Sequence, residues 1–344
     1  MNNKLNKFIE YMPKIELHVH LEGSLTPVTL IKLAEKNSVQ LPVKQINEIE
    51  EWYKFTDFNH FMSIYLKMSE CIKTPEDIEM IAKDFLINQK KQNIIYTEIT
   101  YTPYTHYTQK GISFDKQIEA LNKAKLWGEK HLNIFCNFIF VISRGVTTEE
   151  GIITAEWIKD HPGQIAALGL GGPEKEFPPI RHKPSFDITS RCNIPAVVHA
   201  GETAGTKSIW GALNELNSIR IGHGVLCWDD PELVKYLKTN KIILEVCPSS
   251  NICLGVFRNL ESHILPKLVE RGLKITINSD DPPMFDTTLT NEYKLIAEAF
   301  EFDENNFYDF NLTALNGSFI KNRKKRELSA RFETEWKNCL ELLS

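Results

Sequence analysis

Residues 15–20 read Ile-Glu-Leu-His-Val-His, a mostly apolar run that ends in His18 and His20, two residues apart. Side chains on a strand alternate with period 2, so the two imidazoles share a face. At the C-terminal end of a strand they make half of a metal site. Imidazole nitrogens suit zinc, iron or nickel rather than magnesium or calcium. The pair alone is a weak signal, because ten histidines allow such a spacing by chance. Its weight depends on what the rest of the chain sets beside it.

Seven further short β-rich runs follow, at 94–100, 135–142, 166–170, 196–199, 219–223, 242–246 and 274–278. Helical patterns lie between them. One spans 76–91, with Ile78, Ile81, Ala82 and Phe85 on one face; others span 114–130 and 231–239. Eight strands alternating with helices predict a (β/α)8 TIM barrel of the α/β class. A doubly wound sheet would need a glycine-rich fingerprint after its first strand, and none is present. A length of 344 residues fits a single barrel domain over 1–344. The interval between the first two strands is too long for a simple connection and carries the aromatic-rich stretch WYKFTDFNHFM (52–62). A helical insertion around 45–72 is expected over the C-terminal mouth. It reads equally well as a hydrophobic lid or as ordinary helix packing.

Composition sets limits on function. With 42% hydrophobic and 25% charged residues, the chain can bury a sizeable core. Forty basic against forty-five acidic residues leave a net charge of −5, which argues against a nucleic-acid partner. The one basic run, at 321–326, reads as a solvated helix or loop face. Seven cysteines without a Cys-x-x-Cys pattern suit a reducing compartment. The first dozen residues lack the apolar core of a signal peptide, and no long apolar stretch suggests a membrane span. A cytoplasmic protein with a small-molecule substrate is expected.

The other polar clusters fall at strand ends. His199 closes Pro-Ala-Val-Val-His, with Glu202 just beyond; His223 closes Arg-Ile-Gly-His; Asp280 and Asp281 follow Ile-Thr-Ile-Asn-Ser. Singly, each has a plain explanation: a satisfied core histidine, or an aspartate capping a turn before proline. Together they put histidines and carboxylates at four strand ends, the face where barrel enzymes do chemistry. His18, His20, His199 and Asp280 can hold one zinc and leave a position for water, whose pKa zinc lowers towards neutrality. Glu202, kept protonated by burial, could donate a proton to a substrate. His223 could orient the nucleophile or stabilise developing charge, and Asp281 is free for a substrate hydrogen bond. Binuclear barrels usually add a bridging lysine or acid at the fourth strand's tip. Here that strand ends Leu-Gly-Leu-Gly-Gly-Pro, with Glu174 and Lys175 only beyond Pro173, so a single metal is expected.

PKIELHVHLEGSLTP (13–27), LGLGGPE (168–174), VVHAGET (197–203), RIGHGV (220–225), LEVCPSSN (244–251) and INSDDPPMF (277–285) resemble, in order, the signature motifs of the adenosine deaminase family. The resemblance runs from about Pro13 to Tyr293. It implies zinc-dependent hydrolytic deamination of a 6-aminopurine, with one Zn2+ on His18, His20, His199 and Asp280. Glu202 would then protonate purine N1, and His223 would assist the attack on C6. The Gly172 N–H would meet N3, Asp281 would meet N7, and His20 would border the substrate. One position departs from the pattern. Adenosine deaminases commonly carry aspartate two residues after the second histidine, against the ribose 5′-hydroxyl; this chain carries Glu22, as adenine deaminases that resemble the family do. Weighed with the remaining motifs, the expected substrates are adenosine or deoxyadenosine first, aminodeoxyfutalosine second and adenine third. A catalytically inactive purine-binding relative would be expected to have lost a ligand or the proton donor, and all are present.

Overall fold

The computed structural model describes residues 3–343, so positions 1, 2 and 344 of the expected domain lie outside the described residues. Eight strands form one sheet in sequential order: β1 (Lys14–His20), β2 (Ile94–Tyr101), β3 (Phe135–Ser143), β4 (Ala167–Gly171), β5 (Ala196–Ala200), β6 (Ser218–His223), β7 (Ile243–Val246) and β8 (Lys274–Ile277). Every neighbouring pair from β1 to β8 is parallel. This is the expected TIM barrel, each strand within a residue or so of its expected bounds. β2, β4, β5 and β7 are buried along their whole length, as strands of a parallel sheet covered on both faces are.

The barrel closes between β8 and β1 at the residues singled out above. Val19 and Asp280 form a parallel bridge. The His20 N–H donates to the Asp280 carbonyl (2.9 Å), and the Asp280 N–H donates to the His18 carbonyl (3.2 Å). The Asn278 side chain completes the seam, its Oδ1 accepting from the N–H groups of Leu17 (3.0 Å) and His18 (3.1 Å). Backbone pairing, not side-chain packing alone, fixes the first and last candidate ligands relative to each other.

The barrel's interior is more polar than its strand sequences suggest. Glu98, Arg220 and Glu245 are fully buried inside it; Arg220 donates to Glu98 (2.6 Å) and pairs with Glu245 (2.7 Å). Buried charges persist only when paired, and this trio meets that condition.

The long first interval holds helices Pro27–Lys36, Ile46–Trp52 and Phe58–Ser69 before Pro75–Lys91. Helix Phe58–Ser69 begins at Asp57, whose carboxylate accepts from the His60 N–H (2.9 Å), a normal N-cap. It lies over the barrel mouth. Phe61 is buried and stacks on Phe285, from the loop after β8, with ring centroids 5.5 Å apart and planes within 14°. The insertion is therefore both packed core and pocket wall. The basic run at 321–326 opens helix Asn322–Leu340, where Lys324 pairs with Glu129 and Arg323 with Glu327. No helix among the described residues is long and apolar enough to cross a membrane.

Candidate active site

His18 and His20 leave β1 on one face and meet His199 from β5 and Asp280 beyond β8. One ligating atom from each of the four lies within 4.8 Å of all the others. His20 Nε2 is 3.1 Å from His199 Nε2 and 3.2 Å from Asp280 Oδ1; His18 Nε2 is 3.4 Å from the same oxygen. His18 Nε2 is buried without a hydrogen-bond partner. Three imidazoles and a carboxylate aimed at one point are a donor set that zinc takes.

Glu245 sets the tautomer of His18. Burial pushes its carboxyl up, but the Arg220 charge and His18 outweigh that, and it stays ionised. Its Oε2 lies 2.9 Å from His18 Nδ1, so Nδ1 carries the proton and Nε2 keeps its lone pair for the centre. Burial also opposes a charged His18, yet its contacts with Asp280 and Glu245 push it up to about 10. A field that holds a proton so firmly favours a cation in its place. Space is tight here. A Cβ on Gly222 would lie 2.8 Å from His18 Cε1 and 3.2 Å from the His199 Cα, so only glycine lets the two ligands approach. His223 and Asp280 adopt positive φ (62° and 63°), a conformation costing roughly 1–3 kcal/mol in non-glycine residues and concentrated at functional sites.

Glu202 follows β5 and is buried. Burial first, then the charges of Asp280 and Glu174, hold its carboxyl well above the usual range, so it is a neutral acid able to donate a proton. Glu174, beyond the tip of β4, positions it. The Glu174 carboxylate accepts from the backbone N–H groups of Gly201 (2.5 Å), Glu202 (3.1 Å), Thr203 (2.8 Å) and Ala204 (2.8 Å). It is thereby turned towards the β5 loop and away from the metal-ligating cluster, and Lys175 is exposed. Arg144, beyond β3, donates to the His199 carbonyl (2.6 Å) and anchors the same loop.

His223 Nε2 faces Glu202 Oε1 at 3.8 Å and Asp280 Oδ2 at 3.9 Å, both too long for hydrogen bonds. Burial lowers this imidazole to about 3, leaving it neutral. Asp281 shifts the other way. Burial raises its carboxyl, with His20 opposing and Asp280 adding, so it too can present a proton. It sits where a Cβ on Gly23 would be 1.5 Å from its Oδ1, so the glycine after Glu22 is what admits it. Gly172, at φ 101°, turns beyond β4 into the same pocket. Of the nine expected site residues, eight line this one pocket: His20, Glu22, Gly172, His199, Glu202, His223, Asp280 and Asp281; His18 lies beneath it.

The sequence model of the family described as adenosine deaminase matches residues 13–335. The chain belongs to the adenosine deaminase family. It is a purine deaminase, a hydrolase acting on a C–N bond. The adenine deaminase of Crocosphaera subtropica is 37% identical over 324 residues, covering 94% of this chain and 99% of that protein. The aminodeoxyfutalosine deaminase of Streptomyces avermitilis is 34% identical over 333 residues, covering 96% and 93%. The crystal structure of an adenine deaminase from Arthrobacter aurescens superposes with a TM-score of 0.90 at 26% identity, covering 96% of this chain and 99% of that one.

Within this purine deaminase the pocket sets apolar walls around a few convergent polar groups, the lining typical of a small-molecule site. Its floor is the polar cluster just described. Its roof is helix Phe58–Ser69, contributing Phe58, Phe61, Met62, Tyr65 and Leu66. Glu22 stands between the two. Its Oε1 accepts from the Thr102 N–H (2.9 Å) and lies 3.1 Å from His106 Nε2, while Tyr65 donates to Oε2 (3.4 Å). Sequence reasoning weighed Glu174 only as a bridging metal ligand and passed over Glu245, Gly23 and His106. Glu174 and Gly23 lie inside quoted motifs, and Glu245 shows as a lone charge in a buried strand. For His106, on a helix after β2, the sequence carries no comparable signal.

Proposed function

We propose that this family member is an adenine deaminase, which hydrolyses the free base to hypoxanthine and ammonia with one zinc ion per chain. The observation that carries this reading is the environment of Glu22. Its carboxylate is fully buried, gripped by Thr102, His106 and Tyr65, and roofed by an aromatic helix. With N1, N3 and N7 assigned to Glu202, Gly172 and Asp281, the edge opposite C6 faces Glu22. On free adenine that edge bears an N9–H, a donor for the carboxylate; on a nucleoside, N9 has no hydrogen and carries a sugar. A site built to accept a hydrogen bond discriminates strongly against a ligand that leaves it unpaired.

The roles of the other residues follow from their protonation. His18, His20, His199 and Asp280 would hold the zinc, which when bound acidifies water and so supplies a nucleophile at neutral pH. Glu202 gives its proton to N1, making C6 more electrophilic. Asp281, protonated, donates to N7, and the Gly172 N–H donates to N3, both fixing the ring over the cluster. His223 presents an N–H to the oxygen adding at C6. Water adds, ammonia leaves, and the remaining oxygen becomes the carbonyl of hypoxanthine.

This reading reverses the order expected from sequence, in which adenosine stood first. Relatives named adenine deaminase, at 37% and 34% identity over almost the whole chain, support the change. A second reading, deamination of aminodeoxyfutalosine, draws on a relative of that name at 34% identity. Parallel measurement of kcat/KM for adenine, adenosine, adenosine monophosphate and aminodeoxyfutalosine tests both. Adenine leading adenosine by ~100-fold or more, the scale set by an unpaired buried acceptor, is the expected result; a lead for any nucleoside overturns it.

A further inference from the structure

Behind His223, on the side away from the substrate, runs a buried chain of polar groups. The Leu265 backbone N–H points at His263 Nδ1 (3.1 Å); His263 Nε2 lies 3.2 Å from Asn251 Oδ1; Asn251 Nδ2 lies 3.4 Å from His223 Nδ1. Asn251, His263 and His223 are all buried. His263 follows the turn Leu260–Ser262, Leu265 opens helix Leu265–Glu270, and Asn251 lies on helix Pro248–Cys253 after β7.

The direction of the chain is set at its outer end. A backbone amide can only donate, so His263 Nδ1 must be an acceptor and its proton must sit on Nε2. That proton requires an oxygen on Asn251, which orients the side-chain amide and turns its NH2 towards His223. A donor facing His223 Nδ1 makes that nitrogen the acceptor in turn. The single proton of the neutral ring is left on Nε2, facing the pocket.

We propose that Asn251 and His263 are positioning residues that lock His223 as the Nε2–H tautomer, a hydrogen-bond donor to the reacting oxygen and not a metal ligand. The same logic decides between two possible metal centres. A second cluster, His18, His223, Cys247 and Asp280, also brings ligating atoms within 4.8 Å. His223 has no lone pair left for it: Nδ1 is taken by Asn251 and Nε2 is protonated. The cation then belongs to His18, His20, His199 and Asp280. His18 is oriented in the opposite sense, since Glu245 holds the proton on its Nδ1 and frees Nε2. Neighbouring imidazoles in one pocket receive opposite tautomers from the groups behind them.

This inference rests on the role proposed above for His223, but its decisive readout is independent of turnover. In zinc-loaded enzyme labelled with 15N-histidine, the ring-nitrogen shifts of His223, assigned by their loss in His223→Gln, report which nitrogen carries the proton. The expected spectrum shows protonated Nε2 and bare Nδ1; the reverse pattern overturns the proposal without touching the substrate assignment. Asn251→Asp keeps the shape but accepts from both sides, so it moves the His223 proton to Nδ1. It should lower kcat by ~100-fold or more, with KM changed little, the scale of a wrong-tautomer histidine in other hydrolases. His263→Gln keeps a donor near Nε2 and should restore the tautomer and most of the kcat lost in His263→Leu. An unchanged tautomer and kcat in Asn251→Asp also overturn the proposal. If that variant does not fold, the wild-type spectrum alone decides.

Discussion

The floor and the roof of the pocket are built on different principles. On the floor, buried polar groups come from the ends of several strands, and nearly every one is held by a second group behind it: His18 by Glu245, Glu202's loop by Glu174, His199's carbonyl by Arg144. The roof is one helix presenting aromatic and aliphatic side chains, with a single long hydrogen bond from Tyr65 to Glu22. Polar groups in a dry site are costly unless their partners are fixed, so the floor tolerates few alternatives. An apolar roof exchanges shapes at about 1–3 kcal/mol per methylene. On the proposed reading, the floor runs the reaction and the junction between floor and roof, at Glu22, selects the purine.

Removing the metal should have the largest effect, and only on the floor. Chelation should abolish deamination and lower Tm, because a ligand bound only to the native state stabilises it by about 4 kcal/mol at a thousandfold excess over Kd. Activity should return with one equivalent of zinc; a requirement for two would contradict a mononuclear centre. Glu202→Gln should follow, with kcat down ~100- to 10,000-fold, the range for a lost general acid, at unchanged metal content. An active variant would remove Glu202 from its role. Glu245→Gln should weaken zinc binding by ~10–100-fold in a metal-competition titration, as loss of a carboxylate behind a ligating histidine does. Tyr65→Phe should have the smallest effect. Losing one hydrogen bond of about 1 kcal/mol to a carboxylate with two other partners predicts a kcat/KM change of only a few-fold, with metal content and pH profile untouched. A large loss there would put the roof into the chemistry and break the comparison.

The sequence revealed the floor more fully than the roof, for physical reasons. A parallel barrel puts its chemistry at strand ends, so His-x-His, Val-Val-His and Asp-Asp could be read as ligands once eight strands were counted. The charged interior was hidden, because Glu98, Arg220 and Glu245 pair across strands distant in sequence and no local pattern brings them together. The same holds for Glu22 and His106, which are 84 residues apart. The aromatic stretch at 52–62 read equally as lid or core. The fold uses it as both, since Phe61 packs on Phe285 while lining the pocket.

The ratio of kcat/KM for adenine to that for adenosine, in the wild type and in Glu22→Asp at equal zinc content, tests the central claim most directly. Shortening the side chain by one methylene should withdraw the carboxylate from the base and open room beside N9, lowering the ratio by roughly 10–200-fold in favour of the nucleoside. The same ratio in both enzymes, or a wild type that prefers adenosine, would contradict the assignment of substrate choice to Glu22.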